Sequence, residues 1–187
     1  MRIIGLAGWS GAGKTTLLTR LIPDLTGRGL TVSTVKHAHH AFEVDHPGKD
    51  SYEHRRAGAT EVMAASSGRW ALIRELRDEP EPGLGDLLRL MSPVDLVIVE
   101  GFKTSAHPKV EVHRAANGKP FLFPQVPNVR AVASDGPVPG WDGALADIDD
   151  IAGVAGLLFA HAEPREAVLA LLAAAGRPVR LVRPGPS

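Results

Sequence analysis

The residues best placed to do chemistry lie near the amino end, where Gly8-Trp9-Ser10-Gly11-Ala12-Gly13-Lys14-Thr15 satisfies G-x-x-x-x-G-K-[ST], the phosphate-binding P-loop. Successive backbone N–H groups in such a loop, here from Gly11, Ala12 and Gly13 onward, converge on phosphate oxygens. The positive end of the following helix adds to the attraction. Lys14 would reach the β- and γ-phosphates, and the Thr15 hydroxyl would ligate Mg²⁺. Glycine is required where a side chain would block close approach or where φ is positive.

A P-loop site also needs a carboxylate near the metal, at the end of a neighbouring strand. Asp95 and Glu100 bracket the apolar run Leu96-Val97-Ile98-Val99, and at about 3.3 Å per residue they lie roughly 16 Å apart. Ligands of open α/β sheets bind at the carboxyl ends of the strands, so Glu100 is assigned to the metal or its water. Asp95 is read as a strand-start residue on the far side. Gly101 then lets the backbone turn.

A third cluster is Lys36-His37-Ala38-His39-His40, followed by Asp45-His46-Pro47-Gly48-Lys49-Asp50-Ser51-Tyr52. Two chemistries fit it. The imidazoles with Asp45 could bind Zn²⁺ or Ni²⁺. Alternatively His37, Lys36 and Lys49 hydrogen-bond an anionic ligand while Asp45 or Asp50 joins the Mg²⁺ shell.

The elements that must hold these groups follow from periodicity. Arg2 to Ala7 has strand length. Leu17, Leu18, Leu21, Ile22 and Leu25 form a helical stripe, with Pro23 inside it and Gly27 and Gly29 closing it. Residues 30–35 read as the next strand, and 60–65 and 70–73 as two strands around the turn Ser66-Ser67-Gly68. Leu84, Leu87, Leu88 and Met91 mark a short helix before the strand ending at Glu100. Lys109 to His113 alternates like a half-exposed strand, and Asn128 to Ala133 reads as another. Asp147 to His161 looks helical, and an Ala/Leu helix lies within 166–174. The expected class is α/β, a P-loop NTPase-type three-layer α/β/α fold with a mostly parallel sheet. Antiparallel edge strands are expected near Trp70 and Val110.

Together, Val35 to His40, Asp45 to Ser51, Arg56-Ala57-Gly58-Ala59 and Val97 to Lys103 resemble the molybdopterin-guanine dinucleotide biosynthesis protein B (MobB) family. Pro108 to Val112 and Ala133-Ser134-Asp135 are similar to later family segments. The resemblance spans about residues 1–160 and implies a P-loop GTP-binding domain there, with 161–187 as a helical, Pro-rich appendage. It also implies an accessory protein of molybdenum cofactor assembly with weak GTP hydrolysis. Such a protein would be a homodimer assisting a MobA-type nucleotidyltransferase that acts on molybdopterin. Carried over by position, Gly11, Gly13, Lys14, Thr15 and Thr16 would bind phosphate and Mg²⁺. Asp45, Asp50 and Glu100 would serve the metal or the attacking water. An N-K-x-D guanine motif is absent from the sequence, and Ser134-Asp135 is the segment placed to read the guanine edge. Arg55 and Arg56 are candidates for an arginine finger or for anchoring a pterin phosphate.

Other readings share the cradle: a P-loop small-molecule kinase, a metal-delivery GTPase using His37, His39 and His40, or an adaptor that binds GTP without turnover. Arg74 to Arg89 lacks a clear kinase lid pattern.

Composition narrows the field. The 187 residues suit a single core-forming chain, and Lys plus Arg equal Asp plus Glu at 21 each, so no global field favours nucleic acid. With no cysteine, disulfides and thiolate metal sites are excluded, which suits a reducing compartment. The first apolar stretch is short and no run approaches a membrane span. The sequence reading is therefore of a cytoplasmic protein without membrane or nucleic-acid partners.

Overall fold

In the computed structural model, residues 1–38 and 42–176 are described. They fall into two compact units: residues 1–37 with those from 83 onward, and residues 38–82.

The first unit is a mostly parallel sheet. Its strands are β1 (Arg2–Ala7), β2 (Val32–Lys36), β5 (Leu96–Glu100), β6 (Lys109–His113), β7 (Val129–Ser134) and β8 (Ala144–Asp147), in the order β2-β5-β1-β6-β7-β8. A two-residue strand, β9 (Glu163–Pro164), pairs antiparallel with the start of β1. Helices α1 (Lys14–Gly27) and α4 (Ile151–His161) cover one face; α3 (Leu84–Leu90) and α5 (Arg165–Ala175) cover the other.

Side-chain alternation explains the two layers. Ile4, Leu6, Ile98, Val110 and Val112 meet Leu17, Leu21 and Leu25 of α1 and Val154 and Leu158 of α4. Ile3, Val97 and Val99 point the other way, onto Leu84, Leu88 and Val168. A strand covered on both faces reads as a continuous apolar run, as β5 does. Helix α1 continues through Pro23 to Gly27, and Gly29, at φ 84°, turns the chain toward β2.

Two sequence expectations fail. Strand β6 is neither half-exposed nor an antiparallel edge: it lies between β1 and β7, parallel to both. Its polar residues misled because they are buried and satisfied by backbone. Lys109 Nζ donates to the carbonyls of Ser105, His107 and Pro127. Glu111 accepts from the N–H groups of Leu122 and Phe123 at 2.6 and 2.9 Å. The segment from Asp147 is not helical at its start either. Strand β8 ends at Asp147, and α4 begins at Ile151, capped by Asp150 Oδ1 accepting from Gly153 N at 3.0 Å.

The second unit holds α2 (Asp50–Arg56) and a hairpin of β3 (Glu61–Ala65) and β4 (Trp70–Arg74). The Ser66 hydroxyl closes its turn, accepting from Gly68 N and Arg69 N. Arg55 organises this unit, bonding the carboxylates of Glu43, Asp45 and Glu75.

Candidate phosphate-binding site

The carboxyl ends of β1, β5, β2 and β6 gather around the loop 8–13. Gly8 leaves β1 so close to β6 that a Cβ there would lie 2.5 Å from the Val112 carbonyl oxygen. Gly11 and Gly13 adopt φ of 83° and 85°, the left-handed region that glycine enters freely. Gly13 is the residue before α1, so the loop delivers the helix amino end to the cradle. Ala12 is buried, and its N–H bonds Trp9 O at 3.1 Å.

Lys14 folds back across the loop, its Nζ donating to the carbonyls of Gly8 and Trp9, both at 2.9 Å. Burial lowers its pKa, the positive charges of Lys103 and Lys36 add to this, and Glu100 opposes it. Thr15 Oγ1 lies 3.4 Å from Glu100 Oε1, and Lys36 Nζ lies 3.9 Å from Glu100 Oε2. Thr16 is exposed in the first turn of α1. The P-loop hydroxyl, the strand-end carboxylate and a second lysine thus share one edge of the loop.

His37 follows β2, its N–H donating to Glu100 O at 2.9 Å and its ring stacking on Phe102 with centroids 4.4 Å apart. Gly101, at φ 94°, permits this: a Cβ would lie 2.7 Å from His37 Cβ.

On the β6 and β7 side, Asp135 Oδ1 accepts from Ala115 N at 2.8 Å and its Oδ2 lies 3.8 Å from Arg114 Nη1. Arg114 also pairs with Asp149 at 3.0 Å. Ser134 is buried, its hydroxyl accepting from Gly136 N at 3.3 Å.

Asp45, Lys49 and Asp50 belong to the second unit. The Arg55 guanidinium holds the Asp45 carboxyl below its usual pKa, mainly through hydrogen bonding. Lys49 and Asp50 are exposed at the start of α2, and Arg56 is exposed at its end. His39 and His40 lie outside the described residues. Among the described residues no group of three or more His, Asp or Glu side chains is arranged to hold a metal ion.

Three site-flanking residues were missed in the sequence. Arg114 lies against the P-loop: a Cβ on Gly13 would sit 3.2 Å from its Nε. Asn117 Nδ2 donates to Ser10 O at 3.1 Å. Lys103 Nζ sits 4.9 Å from the centroid of the Trp9 ring. Arg114 stands one residue past a strand end, a position the carboxyl-end rule would have flagged.

The donor set suits a phosphate chain: left-handed glycines, a folded-back ammonium, a helix amino end, and a hydroxyl beside a carboxylate able to share a divalent cation. Fold and site define a P-loop α/β protein. The family model described as "Molybdopterin guanine dinucleotide synthesis protein B" matches residues 3–135, and the chain belongs to that family, MobB. The chain is 47% identical over 156 residues to the molybdopterin-guanine dinucleotide biosynthesis adapter protein of Escherichia coli K12, covering 82% of this chain and 89% of that protein. It is 41% identical over 157 residues to the protein of the same name from Haemophilus influenzae, covering 82% of this chain and 85% of that one. A crystal structure of molybdopterin-guanine biosynthesis protein B aligns with TM-score 0.64 and 29% identity, over 84% of this chain and 98% of the other. Bacillus subtilis MobB, at 22% identity and TM-score 0.67 over 86% and 97%, shares the fold.

Proposed function

We propose that the chain is a GTP-binding accessory protein of molybdopterin guanine dinucleotide synthesis, working in the cytoplasm beside a MobA-type nucleotidyltransferase. The observation that carries this reading is the cradle of Gly11, Gly13, Lys14 and Thr15 facing Glu100, in a chain of the MobB family. Gly11 to Thr16 would hold the phosphates, and Thr15 and Glu100 would hold Mg²⁺, which supplies charge neutralisation when bound. Lys14 would leave its two carbonyl acceptors for the phosphate oxygens and stabilise charge developing on them. Glu100 would orient water. His37 would contact anionic groups of the ligand, and Ser134-Asp135 would lie toward the base.

Phosphoryl transfer leaves little covalent work to a protein beyond positioning and charge. No catalytic glutamine is evident and Arg55 is committed to three carboxylates, so hydrolysis is slow and binding is the main act. Homodimerisation belongs to the same reading. It is supported by the hairpin face in the second unit that leaves Met63 and Trp70 exposed side by side with Leu72.

The test is calorimetry with Mg²⁺ and either GTP or ATP, on the full chain and on Lys14→Ala. GTP should bind in preference to ATP, and Lys14→Ala should weaken it by about 10- to 100-fold, the worth of lost charge-assisted hydrogen bonds. Unchanged affinity in Lys14→Ala refutes the phosphate assignment. A preference for ATP would move the chain to the kinase reading. Single-turnover hydrolysis with and without the transferase separates a slow GTPase from a pure adaptor.

A further inference from the structure

The P-loop lysine is one of three ammonium groups at this end of the sheet. Lys14 Nζ is bonded to the Trp9 carbonyl, and Lys103 Nζ lies over the Trp9 ring, 4.9 Å from its centroid. One loop residue therefore seats two cations, one at its backbone and one on its indole face. The ring is held at its edge, where Nε1 donates to Pro120 O at 2.7 Å. The third cation, Lys36, is 3.9 Å from Glu100 Oε2, and the other oxygen of Glu100 faces Thr15. After burial, Lys103 has the largest influence on the Lys14 ammonium, ahead of the attraction of Glu100.

Bringing like charges together opposes folding. A chain that brings Lys103 and Lys36 within electrostatic reach of the P-loop lysine is arranged for an anion of high charge density. Lys103 lies three residues after Glu100, in the segment that leaves the carboxyl end of β5, with its ammonium over the Trp9 ring of the P-loop. Its electrostatic neighbour, Lys14, is the P-loop group that reaches the β- and γ-phosphates.

We propose that Lys103 is a second phosphate-binding lysine of this site, held on the Trp9 ring and contacting the terminal phosphate of a bound nucleoside triphosphate. The consequence is selectivity for the triphosphate over the diphosphate. This inference rests on the nucleotide-binding reading above.

The experiment is calorimetry of the full chain with Mg²⁺ and GTP, then with Mg²⁺ and GDP, for wild type, Lys103→Ala and Lys103→Gln, with thermal denaturation of each variant as the folding control. Loss of one charge-assisted contact should weaken GTP about 10-fold while GDP changes less than about 2-fold. Lys103→Arg, which keeps the charge, should restore most of the preference. Equal weakening of both nucleotides in Lys103→Ala and Lys103→Gln would assign Lys103 to holding the loop, and unchanged affinity for both would remove it from the site. Either result overturns the inference while leaving the nucleotide-binding reading intact. A wild-type chain that binds neither nucleotide overturns that reading itself.

Discussion

Two carboxylates flank β5, and their surroundings divide their roles. At the amino end, Asp95 Oδ2 accepts from Thr31 N and Thr31 Oγ1 at 2.8 and 2.6 Å, and these bonds hold its carboxyl below the usual carboxylate range. It closes the start of two neighbouring strands. At the carboxyl end, among the described residues, the Glu100 carboxylate meets a long contact to Thr15 and a loose pair with Lys36, which suits it to a cation or a water. Glu100→Gln keeps the shape and removes the charge. Single-turnover GTP hydrolysis should fall about 100-fold, the scale of a lost water-positioning group. Nucleotide affinity should lose most of its Mg²⁺ dependence. Asp95→Asn should lower the melting temperature and leave hydrolysis alone. Equal effects of the two substitutions on hydrolysis would remove Glu100 from the chemistry.

At the scale of elements, the site depends on how strands end. Strand β5 leaves the sheet through Gly101 and Phe102, at φ of 94° and 48°, and this double left-handed turn lets His37 pack against the bend. Gly101→Ala places a Cβ into His37 and into an unfavourable backbone region. A loss of about 1–3 kcal/mol is expected in urea denaturation, and an unchanged midpoint would show that the turn is not strained by a side chain. The P-loop and the apolar run before Glu100 were legible in the sequence because each signal is local. A motif of eight residues and a run covered on both faces carry their own spacing. The strand end marks Arg114 as a candidate in the sequence, but its contact with Gly13, like that of Asn117 with Ser10, arises only because the sheet order sets β6 beside β1. Strand β6 was misread for a related reason. Alternating Lys109 and Glu111 look solvent-facing until the chain around residues 105–108 and 120–127 supplies backbone partners that no periodicity reveals.

Across the first unit as a whole, the sheet is closed by pieces distant in sequence. Residue 165 donates its N–H to Met1 O, β9 extends the start of β1, and Val168 of α5 completes the layer over Ile3 and Leu88. Inside that enclosure lie ionisable groups, Lys109 foremost among them, fully buried with its amine pushed down to about 7 by desolvation. Beside it, the His107 ring is buried with its pKa well below the usual imidazole value, chiefly by desolvation. The unfolded chain keeps the Lys109 pKa near 10.5. Between these values the unfolded state holds a proton that the folded state has released, so stability rises with pH, by at most about 1.4 kcal/mol per unit. Below about 7 both states are protonated and the contribution is at its least favourable. Three carbonyl acceptors work against desolvation, because only the ammonium form has three donors to offer them. Lys109→Met keeps much of the volume and removes the titration. Unfolding free energies of wild type minus Lys109→Met, followed from pH 6 to pH 9.5, should grow more favourable to wild type as pH rises above about 7. A difference independent of pH would mean that the carbonyl triad keeps the ammonium charged inside the core.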